Sequence, residues 1–301
     1  MAIEERQIWV DGKLVPWAQA TIHVLSQSAA RGSLVFDVMA CYWLARGPAI
    51  FGLREHLERF IESTRLSRMK LAVDYDGLVE GVRAAVHANP GARIVKVNGY
   101  YPGISPDVLP RDAHASVAIA AYLPEDLGGK RVSDPARLQI ADPRKMPSWV
   151  LSPQAKLAAG YLYTAIAKGV AREADFHDVL LLDERGDVNE SSTQSFFLVE
   201  GGTLLTAPTS AVLAGITRWA VLDLAADEGI RIKEDAVPRS ALDSAQEAFL
   251  TGTTIDIWPV AQIDARKFEL PGAITTRLSR RLTRVLAGED TVFSPRWLQP
   301  V

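Results

Sequence analysis

The chain has 301 residues, 48% hydrophobic and 23% charged, which suits one large domain or two mid-sized ones and excludes a small stapled module. Lys+Arg 33 against Asp+Glu 36 leaves a formal net charge of −3, with no reason to expect nucleic acid or an anionic membrane as partner. One cysteine, Cys41, excludes an intrachain disulfide framework and a cysteine-cluster metal site, and fits a reducing cytosol; the apolar runs fall far short of the roughly 20 residues a membrane span needs.

The start, MAIEERQIWV, carries early acids and is unlike a signal peptide. Asp11-Gly12 between RQIWV and KLVPW predicts a hairpin. Residues 34–51 read as β-rich, with a turn near Arg46-Gly47-Pro48. Apolar spacing at Leu53, Leu57, Phe60, Ile61 and Leu66 predicts a helix over 53–69. A second helix is expected over 76–88, and strands over 92–101 and 115–122. Residues 124–135 hold two prolines, a Gly-Gly pair and alternating charges, and read as a linker. It would divide a small N-terminal domain, 1–123, from a larger C-terminal domain, 136–301; a surface loop of one domain is the alternative. In the second half a helix is expected over 155–172, then strands over 179–183, 194–199 and 203–207. A helix over 215–228, a strand over 230–237, a strand over 248–259 ending in a turn, and a terminal helix over 271–287 complete the chain. The order implies a mixed α+β or α/β architecture.

No GxGxxG, Walker A or GxSxG motif occurs, and the five histidines show no HExxH pairing. Nucleotide hydrolysis, Rossmann redox chemistry and zinc hydrolysis therefore lose ground, and no metal is expected. Four other features carry chemistry. Lys156 sits among small apolar residues at the expected start of a helix, where burial would favour the neutral, nucleophilic amine. A lysine snorkelling over a helix surface is the plainer local reading. Glu190 precedes an apolar run and could pair with a protonated ring nitrogen, or be a solvated turn acid. LAGITR enters a helix at Gly215, with Ile216 and Thr217 offering amides and a hydroxyl to an anion. LTGTT, with Thr253 and Thr254, closes a strand and offers the same groups. Arg54 in GLREHLERF could make a bidentate phosphate contact.

The order and spacing of these features resemble the class IV (fold type IV) pyridoxal-phosphate aminotransferases, the branched-chain amino acid enzymes above all. IWVDGKLVPW, IFGLREHLERF, SPQAK followed by Tyr161, the Glu190 segment, AGITRWAV and FLTGTTIDIWPV fall in family order over nearly the whole chain. The resemblance implies a small N-terminal α/β domain and a larger C-terminal α/β domain that binds pyridoxal 5'-phosphate. It implies a cytoplasmic homodimer with no nucleic-acid or membrane partner, each active site bordered by the neighbour's loop, for which 100–111 is the candidate. Lys156 would carry the cofactor aldehyde as a Schiff base and shuttle the substrate proton. Glu190 would keep the pyridine nitrogen protonated, and Tyr161 would bond the ring hydroxyl. Arg54, Ile216, Thr217 and Thr253 would bind the phosphate. Thr253 and Thr254 would face the substrate carboxylate, and Phe36 would line the pocket. The implied activity is amino transfer between a branched-chain or other hydrophobic amino acid and a 2-oxo acid such as 2-oxoglutarate.

The substrate side departs from the family. Where the family reads roughly HYGxxxFEG, this chain has Ala30-Arg31-Gly32-Ser33-Leu34-Val35-Phe36-Asp37-Val38. Arg31 replaces an aromatic hydroxyl, and Val38 replaces a glycine and narrows the pocket. Arg31 could bind a distal substrate carboxylate or form a dimer salt bridge. Lys96 stands where the family carries a carboxylate-orienting arginine, without its planar fork. Phe36-Asp37-Val38 looks more like D-amino acid and (R)-amine aminotransferases, which stay open beside an aminodeoxychorismate lyase-like lyase and a non-enzymatic paralogue.

Overall fold

The structure is a computed structural model that describes residues 2–129, 133–141 and 145–301. Met1–Arg131, Ala155–Ala159 and Val285–Val301 form one compact unit. Val132–Gln154 and Gly160–Arg284 form a second. The sequence reading puts everything after residue 135 into one domain. The structure returns the Lys156 segment and the C-terminus to the first unit instead. Part of the expected linker, residues 130–132, lies outside the described residues.

The first unit opens with β1 (Gln7–Val10) and β2 (Lys13–Pro16), joined by Asp11 and Gly12, both at positive φ, the two-residue turn that matches strand twist. A short helix α1 (Gln27–Arg31) follows, capped by the Ser26 hydroxyl. Then come β3 (Leu34–Leu44), β4 (Gly47–Phe51), α2 (Leu53–Leu66), α3 (Tyr75–Ala88), β5 (Ile94–Tyr100) and β6 (Ser116–Tyr122). The Asp74 carboxylate caps α3, accepting from the Gly77 amide at 2.9 Å, so that helix starts a residue before the expected Asp76.

Over Leu34–Met39 of β3, Val95–Tyr100 of β5 and the whole of β6, buried and half-buried residues alternate. The buried face (Val35, Met39, Val95, Val97, Val117, Ile119) joins Leu57, Phe60, Leu78 and Val82 of α2 and α3 in one core. The half-buried face carries Phe36, Val38, Lys96 and Asn98, with Phe36 opposite Asn98 and Val38 opposite Lys96.

The second unit contains β7 (Ala136–Ile140), α4 (Tyr161–Glu173), β8 (Asp178–Leu182), β9 (Val188–Ser191), β10 (Ser195–Glu200) and β11 (Thr203–Thr206). It continues with α5 (Ile216–Asp227), β12 (Arg231–Glu234), α6 (Ala241–Ser244), β13 (Glu247–Gly252), β14 (Asp256–Ile263), β15 (Arg266–Lys267) and α7 (Ala273–Leu286). Strand order is β12-β11-β10-β13-β14-β7-β8-β9, and β9 also pairs with β10 through Ser195 and Glu190. The pairings β10-β13-β14-β7-β8-β9 therefore close into a ring around Leu138, Leu180, Phe196, Leu250 and Val260.

Three expectations are corrected here. The expected strand over 248–259 is two strands, β13 and β14, with the Thr253–Ile255 turn between them. The helix expected over 155–172 starts only at Tyr161. The helix over 271–287 is not the end of the fold: α8 (Phe293–Trp297) and β16 (Leu298–Pro300) follow it. In the first unit β16 pairs with β4 and extends the sheet to β16-β4-β3-β5-β6-β1-β2, while Trp297 stacks on Phe51 at 5.4 Å between centroids. Three residues of strand after a Pro-containing stretch carry too little periodicity to be seen without their partner. No helix of the described residues is long and apolar enough to cross a membrane.

Candidate active site

In the first unit Lys156 does not begin a helix. Leu157 bridges Val35 of β3, the Phe36 amide donates to the Lys156 carbonyl at 3.1 Å, and the Lys156 amide donates to Ser63 Oγ at 3.0 Å. Ser63 Oγ itself donates to the Arg59 carbonyl, one turn earlier in α2, at 2.8 Å. Both backbone groups of Lys156 are thus spent on β3 and α2, so no helical ladder runs through it. The residue is 9% exposed, and its Nζ lies 4.9 Å from the centroid of the Phe36 ring. Lys96 Nζ lies 5.0 Å from the same centroid. Lys156, Phe36, Val38 and Lys96 are therefore brought together on one face of the sheet.

Asp37, between Phe36 and Val38, points to the other face and is fully buried. It accepts from Arg59 Nε at 2.9 Å, from Arg59 Nη2 at 2.8 Å, and from His56 Nδ1 at 2.7 Å. Burial alone would push the Asp37 carboxyl up, but the charge and hydrogen bonds of Arg59 and His56 outweigh it and hold the carboxyl well below its ordinary range. Burial moves His56 down despite Asp37, so its imidazole is neutral and donates through Nδ1. Arg54, in the first turn of α2, is exposed, with its side chain beside the Tyr75 hydroxyl and its amide donating to Gln299 Oε1 at 3.1 Å. Arg31 ends α1 and is exposed.

In the second unit Glu190 lies on β9, not in a solvated turn. Direct cross-strand pairing puts Glu190, Ser195 and Thr251 in one row over β9, β10 and β13. Lys145 Nζ donates to Glu190 Oε1 at 2.5 Å, to Asn189 Oδ1 at 2.9 Å and to the Ala211 carbonyl at 2.9 Å. All three ammonium protons are placed. Burial, and then the Glu190 carboxylate, push the Tyr163 phenol above its ordinary range. Tyr161 opens α4, where Thr164 Oγ1 donates to its carbonyl at 3.0 Å.

Gly215 is the N-cap of α5, and Ile216 and Thr217, which open the helix, are each 4% exposed. A Cβ at Gly215 would stand 2.7 Å from Ser195 Oγ and 3.2 Å from Arg218 Cβ, so a larger residue there crowds the hydroxyl and the start of α5. Thr251 Oγ1 in that row is buried with no hydrogen-bond partner among the described residues. Thr253 is half-buried and Thr254 exposed in the turn after β13. The start of α5, the Ser195 and Thr251 hydroxyls and the Thr253 turn make a donor set of the kind that holds a phosphate.

Sequence reasoning misses Lys145, Ser63, Tyr163 and the Asp37–His56–Arg59 network. Only the last leaves a sequence signal: His56 and Arg59 stand one helical turn apart on a helix whose neighbours Leu57 and Phe60 face the core.

A model of the amino-transferase class IV family matches residues 34–263. The chain is 28% identical to a branched-chain-amino-acid aminotransferase of Salmonella typhimurium, over 98% of this chain and 97% of that one. The branched-chain aminotransferase of Thermoproteus uzoniensis, solved with norvaline, superposes with a TM-score of 0.90 at 32% identity, covering 98% of this chain and 99% of that one. The branched-chain amino acid aminotransferase of Thermobaculum terrenum in its PLP-bound holo form gives 0.88 at 28% identity, over 99% of both chains. With the family model spanning most of the chain and relatives aligned end to end, this chain belongs to the class IV aminotransferases, in the fold type IV architecture of the branched-chain enzymes.

Proposed function

We propose that this chain is a pyridoxal 5'-phosphate-dependent aminotransferase exchanging an amino group between a branched-chain or other hydrophobic amino acid and a 2-oxo acid such as 2-oxoglutarate. The observation that carries the reading is Lys156: a buried amine over an aromatic ring, its backbone held on both sides, in a chain of class IV. The residues also fit the cofactor. The glycine-opened start of α5 and the unsatisfied Thr251 hydroxyl suit a phosphate, and Lys156 suits an aldehyde.

When bound, pyridoxal phosphate supplies the electron sink for charge that develops at the substrate Cα. The chain's own contribution is acid–base work and placement. Lys156, as the neutral amine, removes the Cα proton and later returns a proton. Phe36 shields the amine from water on one side. Ser63 and the Phe36 amide hold the Lys156 backbone, so its reach is set by side-chain torsions alone. Glu190 is the carboxylate for the ring nitrogen, with Lys145 as its counter-ion. Ile216, Thr217 and Thr253 donate to the phosphate, with Arg54 as an additional cation and Tyr161 for the ring hydroxyl. Val38, Lys96, Arg31 and Thr254 shape the substrate side.

A homodimer fits the reading. Leu162, Ile166 and Val170 form an i, i+4, i+8 stripe on α4, each more than half exposed, and Val24, Leu25, Val108 and Leu109 are exposed in the first unit. A cytoplasmic location is in keeping with a lone buried cysteine.

The test is a pair of half-reactions on cofactor-loaded protein, followed by the loss of its long-wavelength absorbance. L-Leucine should bleach it, and Lys156→Ala should abolish the reaction while leaving the fold intact. Bleaching by D-alanine or (R)-1-phenylethylamine but not L-leucine would overturn the substrate assignment. Normal turnover by Lys156→Ala would overturn the role of Lys156.

A further inference from the structure

Two amines share one aromatic ring in the first unit. Lys156 Nζ and Lys96 Nζ lie 4.9 and 5.0 Å from the Phe36 centroid. The nitrogens are therefore no farther apart than about 10 Å, within one Debye length at ~0.1 M salt. Both sit where water is scarce: Lys156 is 9% exposed, and Lys96 is half-buried on β5 opposite Val38. Asp37 is engaged by Arg59 and His56 on the opposite face of β3, and His56 is neutral. That network therefore presents a matched ion pair rather than a net negative charge.

We propose that Lys96 acts through Lys156: its ammonium, held across Phe36, drives Lys156 toward the neutral amine that condenses with an aldehyde, releasing one water, and that accepts a substrate proton. Lys96 is on this account a tuning residue for the reactive amine, not only a side chain lining the substrate pocket. The inference rests on Lys156 being the cofactor-bearing lysine. Burial, and then the charge of Lys156, lower the Lys96 amine below its ordinary value, the signature of two coupled ammoniums. Of the two, Lys156 is the less exposed, and a buried ammonium is the costlier to keep charged. Two unit charges at this separation, at the effective dielectric of a partly buried site, move the first midpoint by about one pH unit, a roughly tenfold change in neutral amine.

The experiment is trace labelling of the full-length, cofactor-free chain with acetic anhydride across pH, with Lys156 and Lys96 read separately by peptide mass. Lys96→Gln should raise the Lys156 midpoint by about one unit, so that at a fixed pH below both midpoints its labelling falls roughly tenfold. Lys96→Arg, which keeps the charge, should leave the Lys156 midpoint where it is. Because coupling is reciprocal, Lys156→Ala should raise the Lys96 midpoint by the same amount. That arm keeps the test alive if Lys96→Gln folds poorly. A Lys156 midpoint unchanged in folded Lys96→Gln, or a Lys96 midpoint unchanged in Lys156→Ala, overturns the proposal. The readout needs neither cofactor nor turnover. A shifted midpoint in a protein that fails to transaminate would sink the aminotransferase reading and spare the electrostatic one; an unshifted midpoint in an active enzyme would do the reverse.

Discussion

Lys145 and Glu190 form a close ion pair in the second unit. The ammonium has three acceptors, and the carboxylate on β9 has a counter-ion at 2.5 Å. Lys145→Met removes the ammonium that bonds Glu190 Oε1 and should leave the carboxylate less well placed as partner to a ring nitrogen. The expected cost is about tenfold in cofactor affinity, or ~1.4 kcal/mol, measured by equilibrium titration of the cofactor-free chain. Unchanged affinity would mean Glu190 holds the ring nitrogen without help from Lys145. Cys41 gives a second prediction at this scale. Burial pushes its thiol up to about 12. Alkylation by iodoacetamide at pH 8 should therefore follow global unfolding, with no modification of the folded protein over hours.

Helix α2 does more than cover the sheet. Its buried face, Leu53, His56, Leu57, Phe60, Ser63 and Thr64, repeats at helical spacing, and within that stripe His56, Ser63 and Thr64 are polar; His56 and Ser63 make the long-range contacts. With Arg59 they tie the helix to Asp37 of β3 and to the Lys156 amide. Ser63→Ala should cost about 1–2 kcal/mol by chemical denaturation, because it strands the buried Lys156 amide. Asp37→Asn removes one partner of a buried ion pair and should cost about 3–5 kcal/mol. The sign of the pH effect follows from two depressed folded-state pKa values. Asp37 and His56 both titrate lower in the folded chain than in the unfolded one. Their contributions are complete above the unfolded values and are lost as pH falls. The His56 part goes below about pH 6.5 and the Asp37 part below about pH 4. Stability measured from pH 7 down to 4 should fall in the wild type and fall less in His56→Gln.

The start of α5 is a second element whose geometry carries function. Gly215→Ala would bring a methyl to 2.7 Å from Ser195 Oγ. It should reduce phosphate-dependent cofactor binding by more than about tenfold through displacement of the helix start. Gly215→Ala combined with Ser195→Gly should recover part of the affinity. No recovery would place the cost in the helix backbone and not at the hydroxyl.

At the scale of the whole molecule, exposed apolar surface bears on assembly. The Leu162–Ile166–Val170 stripe of α4 lies on a helix whose opposite face buries Thr164, Ala167 and Ala171. A helix with two apolar faces calls for a second partner. Ile166→Asp should shift the protein from dimer to monomer in sedimentation equilibrium, with the stability of the isolated chain little changed. A wild type that sediments as a monomer would overturn the proposed homodimer.

The amino-acid sequence by itself determined the elements whose signals are local. The Asp11-Gly12 hairpin, the amphipathic face of α2 and the glycine entry to α5 follow from turn chemistry and 3.6-residue spacing. The order of lysine, glutamate and glycine-rich segments carried the family. Tertiary structure alone decided what depends on partners far along the chain. Lys156 leaves its expected helix because its amide and carbonyl bond to Ser63 and Phe36, residues about a hundred positions earlier. Glu190 is a strand residue because β9 pairs with β8 and β10 and Lys145 meets it there. The C-terminal strand exists because β4 offers an unpaired edge. Hydrogen-bond partners at long range leave no periodicity in the sequence, and neither does the approach of Lys96 to Lys156 across one phenyl ring.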